Sequence, residues 1–173
     1  TLLFQTAVML SGSTVLLGAQ DCHTDDHGPH TGDISAEMLA DAGAKAVIVG
    51  HSERRQYFGE TDETVARRTA AALEAGLRVI ACVGESLEER ESGQMELVLR
   101  LHVESIRDAV GQHENLVIAY EPVWAIGTGQ TATPDQVRDA HGFVKSLLDV
   151  PVLYGGSVKP ENAEELLSET GVD

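Results

Sequence analysis

Leu116-Val117-Ile118-Ala119-Tyr120-Glu121-Pro122-Val123-Trp124-Ala125-Ile126-Gly127-Thr128-Gly129 is the most informative stretch of this 173-residue chain. Its first five residues are apolar, with β-branched and aromatic side chains, and read as a buried strand. The strand ends on a carboxylate, Glu121, whose exit direction is fixed by the following proline. A carboxylate at the end of a buried strand is placed to act as a general base once water is excluded. The alternative is a buried glutamate paired with an arginine such as Arg54 or Arg55. The residues after it, 122–129, are apolar between a rigid proline and a Gly-Thr-Gly end. Exposed loops are seldom so apolar, and the pattern predicts a lid that docks over a ligand and hinges at its two ends.

Working outward, similar short apolar runs recur at 14–21, 46–51, 78–85 and 151–156. They are nearly continuous rather than alternating, which predicts parallel strands buried on both faces. Helix signals lie between them. Ser35 opens a helix ending near Gly43, and Thr61 opens another ending near Gly76. Thr133-Pro134-Asp135-Gln136 is a capping box with proline in the first turn, and Lys159-Pro160 starts a last helix. The βα repetition means an α/β domain with right-handed crossovers. Periodicity leaves open whether its sheet is open or closed. Length favours an open doubly wound sheet, because a complete eight-stranded barrel needs about 250 residues.

Composition narrows the function classes. Lys and Arg total 12 against 28 Asp and Glu, a formal charge of -16. A surface this acidic repels nucleic acid and anionic membranes. No stretch approaches the roughly 20 apolar residues of a membrane span, and no secretory leader pattern is present. Cys22 and Cys82 each adjoin an apolar run, as buried thiols in a reducing cytoplasm do.

In either α/β architecture, function gathers at the carboxyl ends of the strands. Those ends carry Gln20-Asp21-Cys22, Gly50-His51-Ser52-Glu53-Arg54-Arg55, Gly84-Glu85, Glu121 and Tyr154-Gly155-Gly156-Ser157. His51 opens a polar helical turn, where the positive end of the dipole favours a neutral imidazole able to donate to an oxyanion; it reads equally as a structural histidine. Gly155-Gly156-Ser157, between a strand and a helix, offers backbone amides and a hydroxyl to a phosphate. His23, His27 and His30 lie close together, but Gly28-Pro29 is expected to splay them, so no metal site is expected. His102, His113 and His141 read as surface residues, and 85–91 as a solvated helix face.

Together, Gly50-His51-Ser52-Glu53-Arg54-Arg55, Ala119-Tyr120-Glu121-Pro122-Val123-Trp124-Ala125-Ile126-Gly127-Thr128-Gly129 and Tyr154-Gly155-Gly156-Ser157-Val158 resemble the signatures of the triosephosphate isomerase family, in the same order. Thr31-Gly32-Asp33-Ile34-Ser35 and Ala81-Cys82-Val83-Gly84-Glu85 agree as well. The resemblance covers essentially the whole chain and overrides the length argument: it implies a (β/α)8 TIM barrel with five of eight strands represented. It further implies a cofactor-free, metal-free, cytoplasmic glycolytic enzyme that interconverts dihydroxyacetone phosphate and glyceraldehyde 3-phosphate. In that reading Glu121 is the base and His51 the neutral electrophile and proton shuttle, with Ser52 and Glu53 behind them. Gly127, Gly156 and Ser157 hold the phosphate, and Tyr154 with Ser157 latches the closed lid. The substrate is a small triose phosphate, and a homodimer is expected with the loop around Thr31 at its interface. Three departures are expected. The family's first two strands, including an Asn-x-Lys end whose lysine neutralises the phosphate, have no counterpart here. Its final strand and Gly-Gly phosphate loop are also absent, which makes activity of the isolated 173-residue chain doubtful. The segment near 145–151 is about ten residues short of the barrel pattern, a chain break or deletion. Rival readings are a catalytically inactive fragment that only binds anions, and a different phosphosugar-binding barrel.

Overall fold

The computed structural model describes residues 2–128, 130–168 and 171–173. Five strands form one sheet: β1 (Gly18–Ala19), β2 (Ala46–Val49), β3 (Arg78–Val83), β4 (Leu116–Tyr120) and β5 (Val152–Tyr154). All neighbours are parallel and lie in the order β1-β2-β3-β4-β5. A doubly wound sheet reverses its strand order partway across, whereas sequential order is that of a barrel wall.

Alternation along the strands agrees with a singly wound wall. Val47, Val49, Val79, Ala81, Val83, Leu116, Ile118 and Tyr120 are buried on one face. They form a single core with the helix residues Val65, Leu99, Val103, Ile106, Ala140 and Val144. Ile48, Ile80 and Val117, on the opposite face, are only half-buried. The expectation of strands buried on both faces is therefore met fully on the helix side and only in part on the other, where Cys82 and Ala119 are buried. The run at 14–21 was expected to be a full strand, yet only Gly18–Ala19 is laddered. Its single partner among the described residues is β2, and Val15 and Leu16 before it are exposed.

Helices follow the strands as the caps dictate. Ser35 Oγ accepts the Met38 amide to open α2 (Ala36–Asp41), after a first helix α1 (Leu3–Met9). The reciprocal boxes Thr61/Thr64 and Thr133/Gln136 open α4 (Asp62–Glu74) and α7 (Pro134–Leu147). Each satisfies two amides that a helix start otherwise leaves unpaired. Between these lie α3 (Ser52–Phe58), α5 (Leu87–Glu91) and α6 (Met95–Val110), and α8 (Pro160–Ser168) comes last. From α7 the backbone passes through four residues to β5, with Gln112 Nε2 donating to the Asp149 carbonyl at 2.7 Å. No helix among the described residues is long and apolar enough to cross a membrane.

Candidate active site

Glu121 leaves the end of β4 held from both sides. Its amide donates to the Val83 carbonyl at 2.8 Å, and the Gly155 amide donates to the Tyr120 carbonyl at 2.7 Å. Two glycines make this approach possible. A Cβ on Gly84 would lie 1.8 Å from the Glu121 carbonyl oxygen, and one on Gly155 would lie 3.0 Å from Glu121 Cγ. The carboxylate so positioned is buried. Burial raises its pKa above the ordinary value of 4.5, opposed by hydrogen bonds from Ser52 and by the nearby His51. A carboxylate short of water is the stronger proton acceptor.

Both carboxylate oxygens meet the β2–α3 turn. Oε1 lies 3.0 Å from His51 Nε2, and Oε2 accepts the Ser52 amide at 2.9 Å. His51 is the N-cap of α3, and its Nδ1 accepts the Glu53 amide at 3.3 Å. An imidazole nitrogen that accepts an amide carries no proton, so the ring hydrogen sits on Nε2 and points at Glu121. His51, Ser52, Glu53 and Glu121 thus form one unit, in which Ser52 and Glu53 each contribute a backbone amide. Arg54 and Arg55 make their direct ion pairs with carboxylates other than Glu121. Arg54 pairs with Asp21 and Glu60, and Arg55 with Asp62 and the Gly50 carbonyl. A cavity of about 370 Å³ opens beside this unit, lined by Gln20, Ile48, His51, Glu53, Arg54 and Phe58.

The segment after Glu121 turns through a 3₁₀ helix, Val123–Ala125, and its tip at Gly127 and Thr128 is exposed. Gly129, the far end of the expected lid, lies outside the described residues. Gly127 has φ +70, a conformation suited to glycine, with open space around its Cα. Gly156 packs against the lid's root: a Cβ there would meet the Tyr154 hydroxyl at 2.3 Å and Pro122 Cγ at 3.0 Å. Tyr154 and Trp124 pack on one small apolar cluster with Ala132, Val137 and Leu166. The Ser157 carbonyl accepts Asn162 Nδ2 at 3.2 Å.

Several sequence expectations are corrected. Glu85 is not on a solvated face; it is completely buried. Its Oε1 accepts Tyr120 Oη at 3.0 Å, Trp124 Nε1 at 2.9 Å and Arg90 Nη1 at 2.7 Å. It anchors the first turn of the lid segment to the β3 end. The signal was present, because Glu85 follows the apolar run Ala81-Cys82-Val83-Gly84 directly; the acids after it masked it. His141 is fully buried, its Nδ1 2.9 Å from the Gly171 carbonyl. His102 is mostly buried between the Gly84 amide and Asp62. Both read as surface residues from their place on or beside helices, but α6 and α7 turn them inward. Cys22 and Cys82 are free and buried, as expected.

A sequentially ordered parallel α/β wall, with a buried carboxylate and an imidazole 3.0 Å apart at its carboxyl end, has the layout of a barrel enzyme. The family profile of triosephosphate isomerase matches residues 1–173. The triosephosphate isomerase of Azoarcus sp. (strain BH72) is 50% identical over 180 aligned residues, covering 99% of this chain and 74% of that protein. That of Geotalea uraniireducens (strain Rf4) is 48% identical over 95% of this chain and 70% of its own length. The crystal structure of triosephosphate isomerase from Bartonella henselae superposes with a TM-score of 0.91 at 46% identity, over 99% of this chain and 74% of that one. The chain belongs to the triosephosphate isomerase family and is an isomerase with the TIM-barrel fold. The alignment to the Azoarcus protein is longer than the chain itself, so that relative carries residues with no counterpart here.

Proposed function

We propose that this isomerase interconverts dihydroxyacetone phosphate and glyceraldehyde 3-phosphate through an enediolate, with Glu121 and His51 as its catalytic residues. The observation that carries the reading is the 3.0 Å approach of His51 Nε2 to Glu121 Oε1, with each side chain fixed by an amide of the same turn. A ligand entering between them exchanges this contact for two others. Glu121 takes a proton from the carbon beside the carbonyl, and the Nε2 hydrogen of His51 is donated to the carbonyl oxygen. The proton then returns to the neighbouring carbon from Glu121, while His51 moves the hydroxyl proton between the two oxygens. Donors aimed at the oxygen where charge develops are the largest source of stabilisation in such steps.

Gly127, Gly156 and Ser157 bind the phosphate in this reading, and Tyr154 latches the closed lid. The shared packing of Trp124 and Tyr154 and the contact of Gly156 with Pro122 support this. Lid closure excludes water, which otherwise diverts an enediolate phosphate toward phosphate elimination. We further propose a cytoplasmic homodimer with the exposed loop around Thr31 at its interface, and a single barrel domain whose shortening relative to its relatives falls at 145–151. A coupled assay for glyceraldehyde 3-phosphate, run on the wild-type protein and on Glu121→Gln, tests the function. Turnover that survives the substitution overturns it.

A further inference from the structure

The loop 22–35 carries three histidines and three carboxylates, and the proposed chemistry uses none of them. Gly28-Pro29 was expected to splay the loop, yet the chain folds back on itself. Gly28 adopts φ +145, and a Cβ there would lie 2.7 Å from His30 Nε2. Only glycine at this position leaves His30 room to turn inward. The His23 and His30 rings face each other with centroids 4.0 Å apart.

The carboxylates divide their oxygens between structure and these rings. Asp25 Oδ1 is taken by Arg67 Nη2 at 2.9 Å and Thr24 Oγ1 at 3.1 Å, which fixes the group. That leaves Oδ2, 3.1 Å from His30 Nε2. His23 Nε2 faces Asp33 Oδ2 at 3.6 Å. One ligand atom each from His23, Asp25 and His30 lie within 4.8 Å of one another. In tetrahedral zinc coordination, bonds of about 2.0–2.1 Å place neighbouring ligand atoms about 3.3 Å apart. The two imidazole–carboxylate separations bracket that value, and both rings are already aimed at oxygen.

We propose that His23, Asp25 and His30 bind a divalent ion of the zinc class and clip this loop into one conformation. Two imidazoles and one carboxylate suit zinc over the hard cations calcium and magnesium, which take oxygen ligands in larger number. Ligation through Nε2 requires His23 to carry its hydrogen on Nδ1. That nitrogen now accepts the Asp25 amide at 3.0 Å, and the Asp25 carbonyl stands 3.4 Å away to receive the new donor. Metal binding therefore carries its own signature, the loss of the acceptor of the Asp25 amide. The site would preset the loop that bears Thr31, independently of the isomerase chemistry.

The test is equilibrium dialysis of the chelator-treated protein against zinc alone, with bound metal measured by atomic absorption. One equivalent should be retained, the unfolding midpoint should rise, and the Asp25 amide resonance should shift. X-ray absorption should show imidazole nitrogens and carboxylate oxygens at about 2.0–2.1 Å. His23→Gln and His30→Gln should each weaken binding at least tenfold and abolish the zinc-induced rise above each variant's own metal-free midpoint. His27→Gln should bind as the wild type, since that exposed ring is outside the cluster. Calcium and magnesium should not be retained. Absence of bound zinc would overturn the proposal. So would equal weakening by His27→Gln and His30→Gln, which means diffuse capture by a histidine-rich surface, or undiminished binding in the His23 and His30 variants.

Discussion

Gly84 sits so close to the Glu121 peptide that a methyl group on its Cα would lie 1.8 Å from the Glu121 carbonyl oxygen. The atom it would meet is backbone, held in the ladder between β3 and β4, and cannot swing aside. Gly84→Ala should therefore push the end of β4 away and carry the Glu121 side chain with it. Overpacking of this kind costs about 1–3 kcal/mol. A displacement near 1 Å at a reacting group costs about 10²-fold in rate. Thermal unfolding and kcat, measured on the same preparation, check both effects; an alanine variant of wild-type activity would refute the clamp.

Substitution of the base separates chemistry from binding. Glu121→Gln keeps the shape and removes the proton acceptor, so kcat should fall by at least about 10²–10⁴-fold with KM little changed. His51→Gln should cost less, because glutamine retains a donor but cannot shuttle protons between the two oxygens. Steady-state kinetics of the two variants give the order directly.

The same substitution has a stability consequence with a definite sign. Burial raises the folded pKa of Glu121 above 4.5. Its favourable contribution is then present below the ordinary carboxylate pKa and is lost as pH rises through the folded value. Wild type should therefore gain stability relative to Glu121→Gln, which does not titrate, as pH falls from 7 toward 4. A melting series across that window decides the point.

His102 has the opposite sign. Burial, reinforced by the Arg55 charge and opposed by Asp62, lowers its pKa from 6.5 to about 4. The unfolded chain binds the proton more tightly, so stability falls as pH drops from 6.5 toward 4. At about 1.4 kcal/mol per pKa unit the loss reaches up to about 3 kcal/mol. His102→Gln, uncharged throughout, should flatten the stability difference across this range in denaturant titrations.

Trp124 tests the root of the lid. Trp124→Phe keeps an aromatic ring but deletes the indole donor to Glu85 Oε1, which keeps Tyr120 and Arg90. Loss of one such hydrogen bond costs about 1 kcal/mol. Amide exchange should quicken over 123–128 and stay unchanged in β4. Uniform acceleration across both would mean that the residue supports the core and not the lid.

The alternation of strands and helices, the helix starts at Ser35, Thr61 and Thr133, and the placement of His51 and Glu121 at strand ends were all legible in the sequence. These features are local: a hydrophobic run, a cap or a proline acts within a few residues of itself. The motif run around Glu121 also disclosed the family. Tertiary structure alone decided which groups meet. Ser52 and Glu121 stand 69 positions apart, and only the parallel register of β2, β3 and β4 brings the amide of one to the carboxylate of the other. The same register buries Glu85 beneath Trp124, demands glycine at 84, and hands Arg54 and Arg55 to Asp21, Glu60 and Asp62 instead of Glu121. Charge pairing, burial and close approach depend on distances in space, and a linear pattern with a period of 2 or 3.6 carries no measure of those.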